Sequence, residues 1–200
     1  MQLDIPTGDF AGYIFDCDGT LIDSMPVHYR AWDAAMRRHG LQEPLCEELF
    51  YSLGGVPTLK VAELIAAHYG LKIDPEVVFH EKEALFVELL AEVKLIDPVV
   101  AFARAAAAAG KPVAVASGGP RDIVRHSLEL AGLASIFPVV VTPEYVVHGK
   151  PAPDMFLLAA KKLGVPPARC LVFEDAEPGH KAAEAAGMQS VHVPSRGPRG

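Results

Sequence analysis

Short runs of apolar residues recur along the chain, and helical patterns separate the later ones. The runs are continuous rather than alternating, which is typical of parallel strands covered on both faces. They predict strands at Gly12–Phe15, Pro112–Ala116, Pro138–Val141, Cys170–Phe173 and Ser190–Val193. Helical patterns between them predict helices at Val99–Ala109, Arg121–Ala131, Asp154–Leu163 and Glu177–Ala186. This alternation predicts an α/β fold built on a doubly wound parallel sheet.

Residues 24–95 depart from this alternation, because they contain helical patterns and no further strand. The patterns predict helices at Met25–His39, Glu43–Ser52, Thr58–Tyr69 and Pro75–Val93. A single crossover helix needs far fewer residues, so we predict a helical-bundle domain at 24–95 inserted into a core of residues 1–23 and 96–200. The chain is expected to return to the sheet near residues 95–98. Because ligands bind at the carboxyl ends of parallel strands, where the insertion leaves, we expect it to act as a cap.

The first predicted strand ends on two carboxylates, Asp16 and Asp18, within the stretch FDCDGTLID. Residues at i and i+2 of an extended segment point to the same side. Carboxylates that close repel each other unless a cation lies between them. The stretch therefore predicts a metal site, a catalytic role, or both. Asp23 is interpreted as the cap of the helix that begins near Met25.

Polar residues follow other predicted strands or precede a predicted helix. Ser117-Gly118-Gly119 follows one strand, Glu174-Asp175 follows another, and Lys150-Pro151 precedes a helix. These groups suit phosphoryl transfer, which needs cations and hydrogen-bond donors around a phosphate, and in which a carboxylate can be the nucleophile. Carboxylate and carbonyl oxygens are ligands that Mg²⁺ prefers. Each group alone is more often a turn or a solvated charge, and only their joint occurrence carries the prediction.

The composition narrows the class of protein. The 200-residue chain is half hydrophobic and carries a net charge of −7, which argues against nucleic-acid binding and against an anionic membrane surface. Three widely spaced cysteines argue against a disulfide framework, and we expect the cytoplasm. No signal peptide or apolar membrane span is expected. Cys17, between two aspartates, is expected to stay a thiol.

The motifs together, in this order and over essentially the whole chain, resemble the haloacid dehalogenase superfamily of phosphohydrolases. Two segments are similar in sequence to the subgroup with a helical cap after strand one, which includes β-phosphoglucomutase. They are KPAPDMFLLAAKKLG (150–164) and CLVFEDAEPGHKAAEAAGM (170–188). The resemblance implies Asp16 as nucleophile and metal ligand, and Asp18 as general acid and base whose backbone carbonyl binds the metal. It implies Mg²⁺ as cofactor, held also by Asp175 and Glu174, the latter in or just outside the metal shell. The same resemblance implies that Ser117, Gly118 and Lys150 hold the phosphate.

The resemblance does not by itself distinguish a phosphatase from a mutase, because the subgroup contains both kinds of enzyme. His28 and Arg30 match positions that are also present in β-phosphoglucomutase. That enzyme has an arginine in a cap loop that binds a second phosphate. In this chain the loop reads GGVPT (54–58), and Thr58 lies near the position of that arginine. The loop looks more like that of fructose-1-phosphate and 6-phosphogluconate phosphatases. We therefore expect a phosphatase of a small phosphorylated sugar or polyol, acting as a monomer. A sugar phosphate mutase and a non-catalytic phosphosugar-binding protein are the alternatives.

Overall fold

The computed structural model describes residues 1, 3–54 and 56–194. Within these residues the chain forms two compact units. One unit joins Met1–Asp23 to the chain from Lys94 onward, and the other comprises Ser24–Val93. None of the helices in the described part of the chain combines the length and apolar character that crossing a membrane requires.

The first unit contains a five-stranded parallel sheet. Its strands are β1 (Gly12–Phe15), β4 (Val113–Ala116), β5 (Val139–Val141), β6 (Cys170–Glu174) and β7 (Gln189–His192). They lie side by side in the order β5-β4-β1-β6-β7. The central strands are buried on both faces, which accounts for their continuous apolar sequences. The predicted doubly wound α/β fold is confirmed.

Helices connect these strands: α5 (Asp97–Ala108), α6 (Arg121–Leu130), α7 (Asp154–Leu163) and α8 (Glu177–Ala185). The side chains of Phe15 and Phe173 stack in the core with ring centroids 4.7 Å apart, and both are fully buried. Because β1 and β6 are neighbours in the sheet, this packing fixes their carboxyl ends side by side. Those ends carry the acidic residues singled out in the sequence.

A short antiparallel ribbon in this unit was not predicted. Strand β2 (Ile22–Asp23) pairs with β3 (Lys94–Leu95), so that Asp23 lies opposite Lys94. The expected return to the main sheet near residues 95–98 is therefore wrong, because the chain rejoins this unit through the ribbon and then enters α5. The proposed cap by Asp23 is also wrong, since Ser24 occupies the N-cap position of the helix that follows.

The second unit is helical, with α1 (Met25–Arg38), α2 (Glu47–Ser52), α3 (Thr58–Tyr69) and α4 (Pro75–Leu89), followed by a 3₁₀ turn at Leu90–Glu92. The helix predicted from Glu43 begins instead at Glu47, because Pro44 biases the residue before it away from helical backbone. Trp32 is 3% exposed and lies in this unit's apolar core.

Candidate active site

A tight turn after β1 places Asp16 and Asp18 at the centre of the sheet's carboxyl edge. The backbone N–H of Asp16 donates to the carbonyl of Phe173 on β6 at 2.9 Å, which continues the strand pairing to the first aspartate. The carbonyl of Cys17 then accepts hydrogen bonds from the N–H groups of Leu21 and Ile22. Asp16 is consequently buried, at 6% exposure, whereas Asp18 is half-buried.

Lys150 connects two carboxylates that are 24 or more positions away in sequence. Its Nζ atom donates to Oδ1 of Asp16 and to Oε2 of Glu174, each at 2.7 Å. Although burial opposes the charged form of this lysine, the two carboxylates raise its pKa above the ordinary value. The structure therefore places the Lys150 ammonium between the carboxylates of Asp16 and Glu174. The peptide bond between Lys150 and Pro151 is cis.

Asp16, Glu174 and Asp175 form a cluster of carboxylates in which one oxygen from each lies within 4.8 Å of the others. Burial raises the pKa of Asp16 well above its usual range, and the charge of Glu174 adds to this effect. Burial and Glu174 likewise raise the pKa of Asp175 to about 7. Ionisation of all three acidic groups would place more negative charge in the cluster than the Lys150 ammonium balances.

A divalent metal ion fits this donor set. All three side chains offer hard oxygen ligands, converge on one point, and would lose their mutual repulsion to a bound cation. The raised pKa values of Asp16 and Asp175 are the electrostatic sign of a site that favours added positive charge. The residues thus meet the requirements of a divalent metal site.

Close backbone packing fixes the position of Asp175. A Cβ atom built on Gly19 would lie 2.2 Å from Oδ2 of Asp175, and Gly19 has a φ of +83°, a backbone conformation that favours glycine. The hydroxyl of Thr20 donates to the other carboxylate oxygen at 3.4 Å. Gly19 thereby leaves room for the Asp175 carboxylate, and Thr20 donates a hydrogen bond to it.

Glu174 is held in a similar way by the start of helix α8. A Cβ atom on Gly179 would lie 2.0 Å from the carboxylate carbon of Glu174, so only glycine leaves space for this side chain. The backbone N–H of Ala176 donates to Oε1 of Glu174 at 3.2 Å, while Oε2 accepts from Lys150. Both oxygens of Glu174 are therefore oriented by the protein.

The turn after β4 lies beside Asp18. The N–H of Ser117 bonds the carbonyl of Val141, and the N–H of Gly119 donates to the Ser117 hydroxyl at 3.1 Å. A Cβ atom on Gly119 would lie 3.5 Å from that hydroxyl oxygen and 3.7 Å from Oδ2 of Asp18. Gly118 is exposed and has open space around it. Ser117, Gly118 and Asp18 thus share one region at the sheet edge.

Sequence reasoning missed one residue that supports this turn. Helix α6 begins at Arg121, directly after Gly119-Pro120, and its N-cap residue, Pro120, supplies no side-chain acceptor. Glu144 supplies it instead, because its Oε1 accepts the N–H of Arg121 at 2.9 Å. Although partial burial opposes the charged form, this bond helps to lower the pKa of Glu144. No local pattern could have indicated a contact between residues 23 positions apart.

The predicted substrate residues His28, Arg30 and Thr58 belong to the helical unit. The imidazole ring of His28 stacks on Phe86 with centroids 3.9 Å apart, and the guanidinium of Arg30 pairs with both oxygens of Glu92, at 2.7 and 2.9 Å. Thr58 begins helix α3 and is half-buried. Gly55 of the GGVPT loop lies outside the described residues. Phe86 and Glu92 belong to the same helical unit as His28 and Arg30.

Two further residues lie close in sequence to residues of the site. Cys17 is fully buried, and burial, together with Asp18 and Asp16, raises the pKa of its thiol well above the ordinary value. A raised pKa favours the thiol form, which agrees with the expectation that Cys17 stays a thiol. The side chain of His148, two positions before Lys150, is 71% exposed and pairs with Asp154.

Comparisons with known proteins agree with this architecture. Residues 10–187 match the profile of the haloacid dehalogenase-like hydrolases. Fructose-1-phosphate phosphatase YqaB of Escherichia coli (strain K12) is 40% identical over 188 residues, which cover 92% of this chain and 96% of that protein. Hexitol phosphatase A of the same organism is 34% identical over 190 residues, covering 94% and 86%.

Solved structures show the same fold. CbbY from Rhodobacter sphaeroides, in complex with phosphate, aligns with a TM-score of 0.81 at 26% identity, covering 90% of this chain and 84% of that one. β-Phosphoglucomutase from Clostridium difficile aligns with a TM-score of 0.80 at 23% identity, covering 90% and 83%, a likeness that establishes the fold alone. With relatives that are named phosphatases, the prediction of a phosphoric monoester hydrolase is confirmed. The family profile, the relatives and the converging carboxylates lead to one conclusion: the chain belongs to the haloacid dehalogenase-like hydrolases.

Proposed function

We propose that the protein is a magnesium-dependent phosphatase that hydrolyses a small sugar or polyol phosphate through an aspartyl-phosphate on Asp16. The observation that carries this proposal is the convergence of the Asp16, Glu174 and Asp175 carboxylates, with Lys150 bridging the first two. The relatives named for fructose 1-phosphate and hexitol phosphates support the substrate class.

Asp16, Glu174 and Asp175 would hold the Mg²⁺ ion, with the backbone carbonyl of Asp18 as a further ligand. When bound, the ion would neutralise charge on the phosphate oxygens and on the carboxylates around it. It would also lower the pKa of Asp16, which is raised in its absence and which must be ionised to act as a nucleophile. The Lys150 ammonium stays charged beside Asp16 and adds a second positive group.

The chain's own residues supply the two chemical steps. A carboxylate oxygen of Asp16 forms a bond to phosphorus as the bond from phosphorus to the sugar oxygen breaks. Asp18 donates its proton to that departing oxygen. Asp18 then accepts a proton from a water molecule, whose oxygen attacks phosphorus, releases inorganic phosphate and restores the carboxylate of Asp16.

The turn from Ser117 to Gly119 orients the phosphate. The Ser117 hydroxyl and the exposed backbone of Gly118 provide donors close to Asp18, so phosphate oxygens bound there would lie near the acid–base residue. Residues 24–95 would act as a cap that excludes water and selects the substrate, with His28, Arg30 and Thr58 as its candidate contacts. A cytoplasmic monomer remains our prediction for location and assembly.

Phosphate release from a panel of sugar and polyol phosphates tests the proposal. The assay should be run with Mg²⁺ and with a chelator, and each condition with and without a catalytic amount of a sugar bisphosphate. We expect Mg²⁺-dependent release without bisphosphate. Isomerisation of a hexose 1-phosphate only after bisphosphate is added would show a mutase. Metal-independent ligand binding without release would show a binding protein.

A further inference from the structure

Two histidines form a group of metal-ligating side chains that the phosphatase chemistry does not use. His180 lies on helix α8, and His192 is the last residue of strand β7. Nε2 of His180 and Nδ1 of His192 are 3.2 Å apart, with the ring centroids separated by 5.4 Å. Ser190, two positions before His192, lies on the same face of the strand. Helix and strand therefore bring two imidazole rings and one hydroxyl together.

The distance between the two nitrogens suits a shared metal ion. Zinc binds histidine nitrogens at about 2.0–2.1 Å in tetrahedral sites, which places two ligand nitrogens about 3.3 Å apart. The separation of 3.2 Å between His180 and His192 requires little movement of either ring to reach this arrangement. A hydrogen bond between the rings now occupies the position that such an ion would take.

Ser190 orients the imidazole ring of His180, in the way that a hydrogen-bond acceptor commonly orients a histidine that binds a metal. The Nδ1 atom of His180 lies 2.9 Å from the Ser190 hydroxyl oxygen. When Nδ1–H donates to this hydroxyl, Nε2 carries the lone pair and points at His192. Metal-binding histidines are held in this way by an oxygen acceptor on the other ring nitrogen.

We propose that His180 and His192 together bind one divalent transition metal ion of the Zn²⁺, Ni²⁺ or Cu²⁺ class. Imidazole nitrogen favours these ions, whereas the oxygen ligands of the carboxylate cluster favour Mg²⁺, so the two sites differ in metal preference. His192 is exposed, and solvent can supply the remaining ligands. The proposal does not depend on the substrate or the mechanism of the phosphatase.

Titration of the intact protein with Zn²⁺ in a large excess of Mg²⁺, followed by calorimetry, tests this site. The excess Mg²⁺ is added to fill the proposed carboxylate site, so that the histidines remain available to Zn²⁺. We expect one Zn²⁺ per chain, and we expect His192→Gln and His180→Gln each to weaken binding more than about tenfold, since even changes to groups that orient a ligand reach that size. His148→Gln is the matched control, because it removes an exposed histidine that pairs with Asp154 rather than with another imidazole.

Electron paramagnetic resonance with Cu²⁺ provides a second readout that counts nitrogen ligands. We expect two coordinated nitrogens in the wild type and one in His192→Gln, an exposed position where folding should be unaffected, as circular dichroism will check. Zn²⁺ binding that is unchanged in both histidine variants would place the ion at the carboxylates and overturn the proposal. Absence of Zn²⁺ binding in excess Mg²⁺ would overturn it equally.

Discussion

The Nζ atom of Lys150 lies 2.7 Å from Oδ1 of Asp16, and both side chains are only 9% exposed. This buried pair joins a residue ahead of helix α7 to the end of the central strand. The same ammonium group reaches Glu174, so one lysine partly neutralises a cluster of acidic groups. The stability and the chemistry of the site therefore depend on the same charges.

Asp16→Asn should reduce phosphate release by roughly a thousandfold or more, because the amide is a poor nucleophile while its shape preserves the site. The measurement is Mg²⁺-dependent turnover with the best substrate of the panel. Asp9→Asn, at an 85% exposed side chain, is the matched control and should keep full activity. An Asp16→Asn enzyme with undiminished turnover would refute the assignment of the nucleophile.

Lys150→Met should destabilise the metal-free protein by about 3–5 kcal/mol, the usual cost of leaving buried charges without their partner. Mg²⁺ should restore part of this loss, because a bound cation again neutralises Asp16 and Glu174. Urea unfolding in chelator and in Mg²⁺ measures both effects. Lys181→Met, at a 61% exposed side chain, should change little in either condition. A loss of stability that Mg²⁺ leaves unchanged would argue that the metal does not bind beside Lys150.

Asp175 should make the metal-free protein less stable as pH rises. Burial and Glu174 raise its pKa from 3.8 to about 7 in the folded protein. Between these values the folded state holds a proton that the unfolded state has released, so the free energy of unfolding falls as pH increases through this window. Asp16, whose pKa is also raised, acts in the same direction.

Comparison with Asp175→Asn isolates this effect, because the amide does not titrate. In chelator, the variant should gain stability relative to the wild type as the pH is raised from 4 to about 7, and no further above it. Urea unfolding at several pH values gives the difference. A difference that is independent of pH would show that the carboxyl group has an ordinary pKa.

Gly19→Ala should weaken Mg²⁺ binding and activity by far more than it weakens the fold. The added Cβ would lie 2.2 Å from Oδ2 of Asp175 and would displace this carboxylate. Gly164→Ala is the matched control, because Gly164 has a similar positive φ of 69° but no atom within 4 Å of the built Cβ. It should cost only about 1 kcal/mol of backbone strain and leave metal affinity intact. Equal metal affinities in the two variants would contradict the steric argument.

Glu144→Ala should raise the KM and weaken inhibition by inorganic phosphate, with a loss of stability of about 1 kcal/mol, typical of a lost helix cap. The reason is that Oε1 of Glu144 holds the first N–H of helix α6, immediately after the Ser117–Gly119 turn. Glu144→Gln retains an acceptor oxygen and should recover most of the affinity. If the Gln variant is as impaired as the Ala variant, charge rather than the hydrogen bond positions the turn.

The sequence predicted the acidic residues because parallel strands place their carboxyl ends along one edge of the sheet. Lys150 was predicted from its position beside Pro151, ahead of a helix. Asp16 and Glu174 end neighbouring strands, and once the strands were recognised their proximity followed from topology. The glycines that make room for carboxylates were not recognised. Gly19 and Gly179 have this role only through contacts with residues on another element, which chain order does not reveal.

The remaining differences arise where short or distant interactions outweigh local pattern. Strands β2 and β3 have only two residues each, too few for a periodic signal. The 3₁₀ turn at Leu90–Glu92 ends the last helix of the inserted unit earlier than its apolar pattern indicates. Glu144 and Arg121 are separated by 23 positions, so their hydrogen bond depends on the fold of the sheet.

The ribbon of β2 and β3 also has a consequence for the evolution and engineering of this chain. Because Asp23 and Lys94 are paired, the polypeptide leaves the core and re-enters it at adjacent points. A segment that joins two neighbouring ends can change its length or sequence without stretching the sheet, and longer loops add little closure entropy. The ribbon thus marks a junction at which related enzymes could exchange whole inserted modules, and at which chimeric proteins can be joined, while the catalytic core is retained.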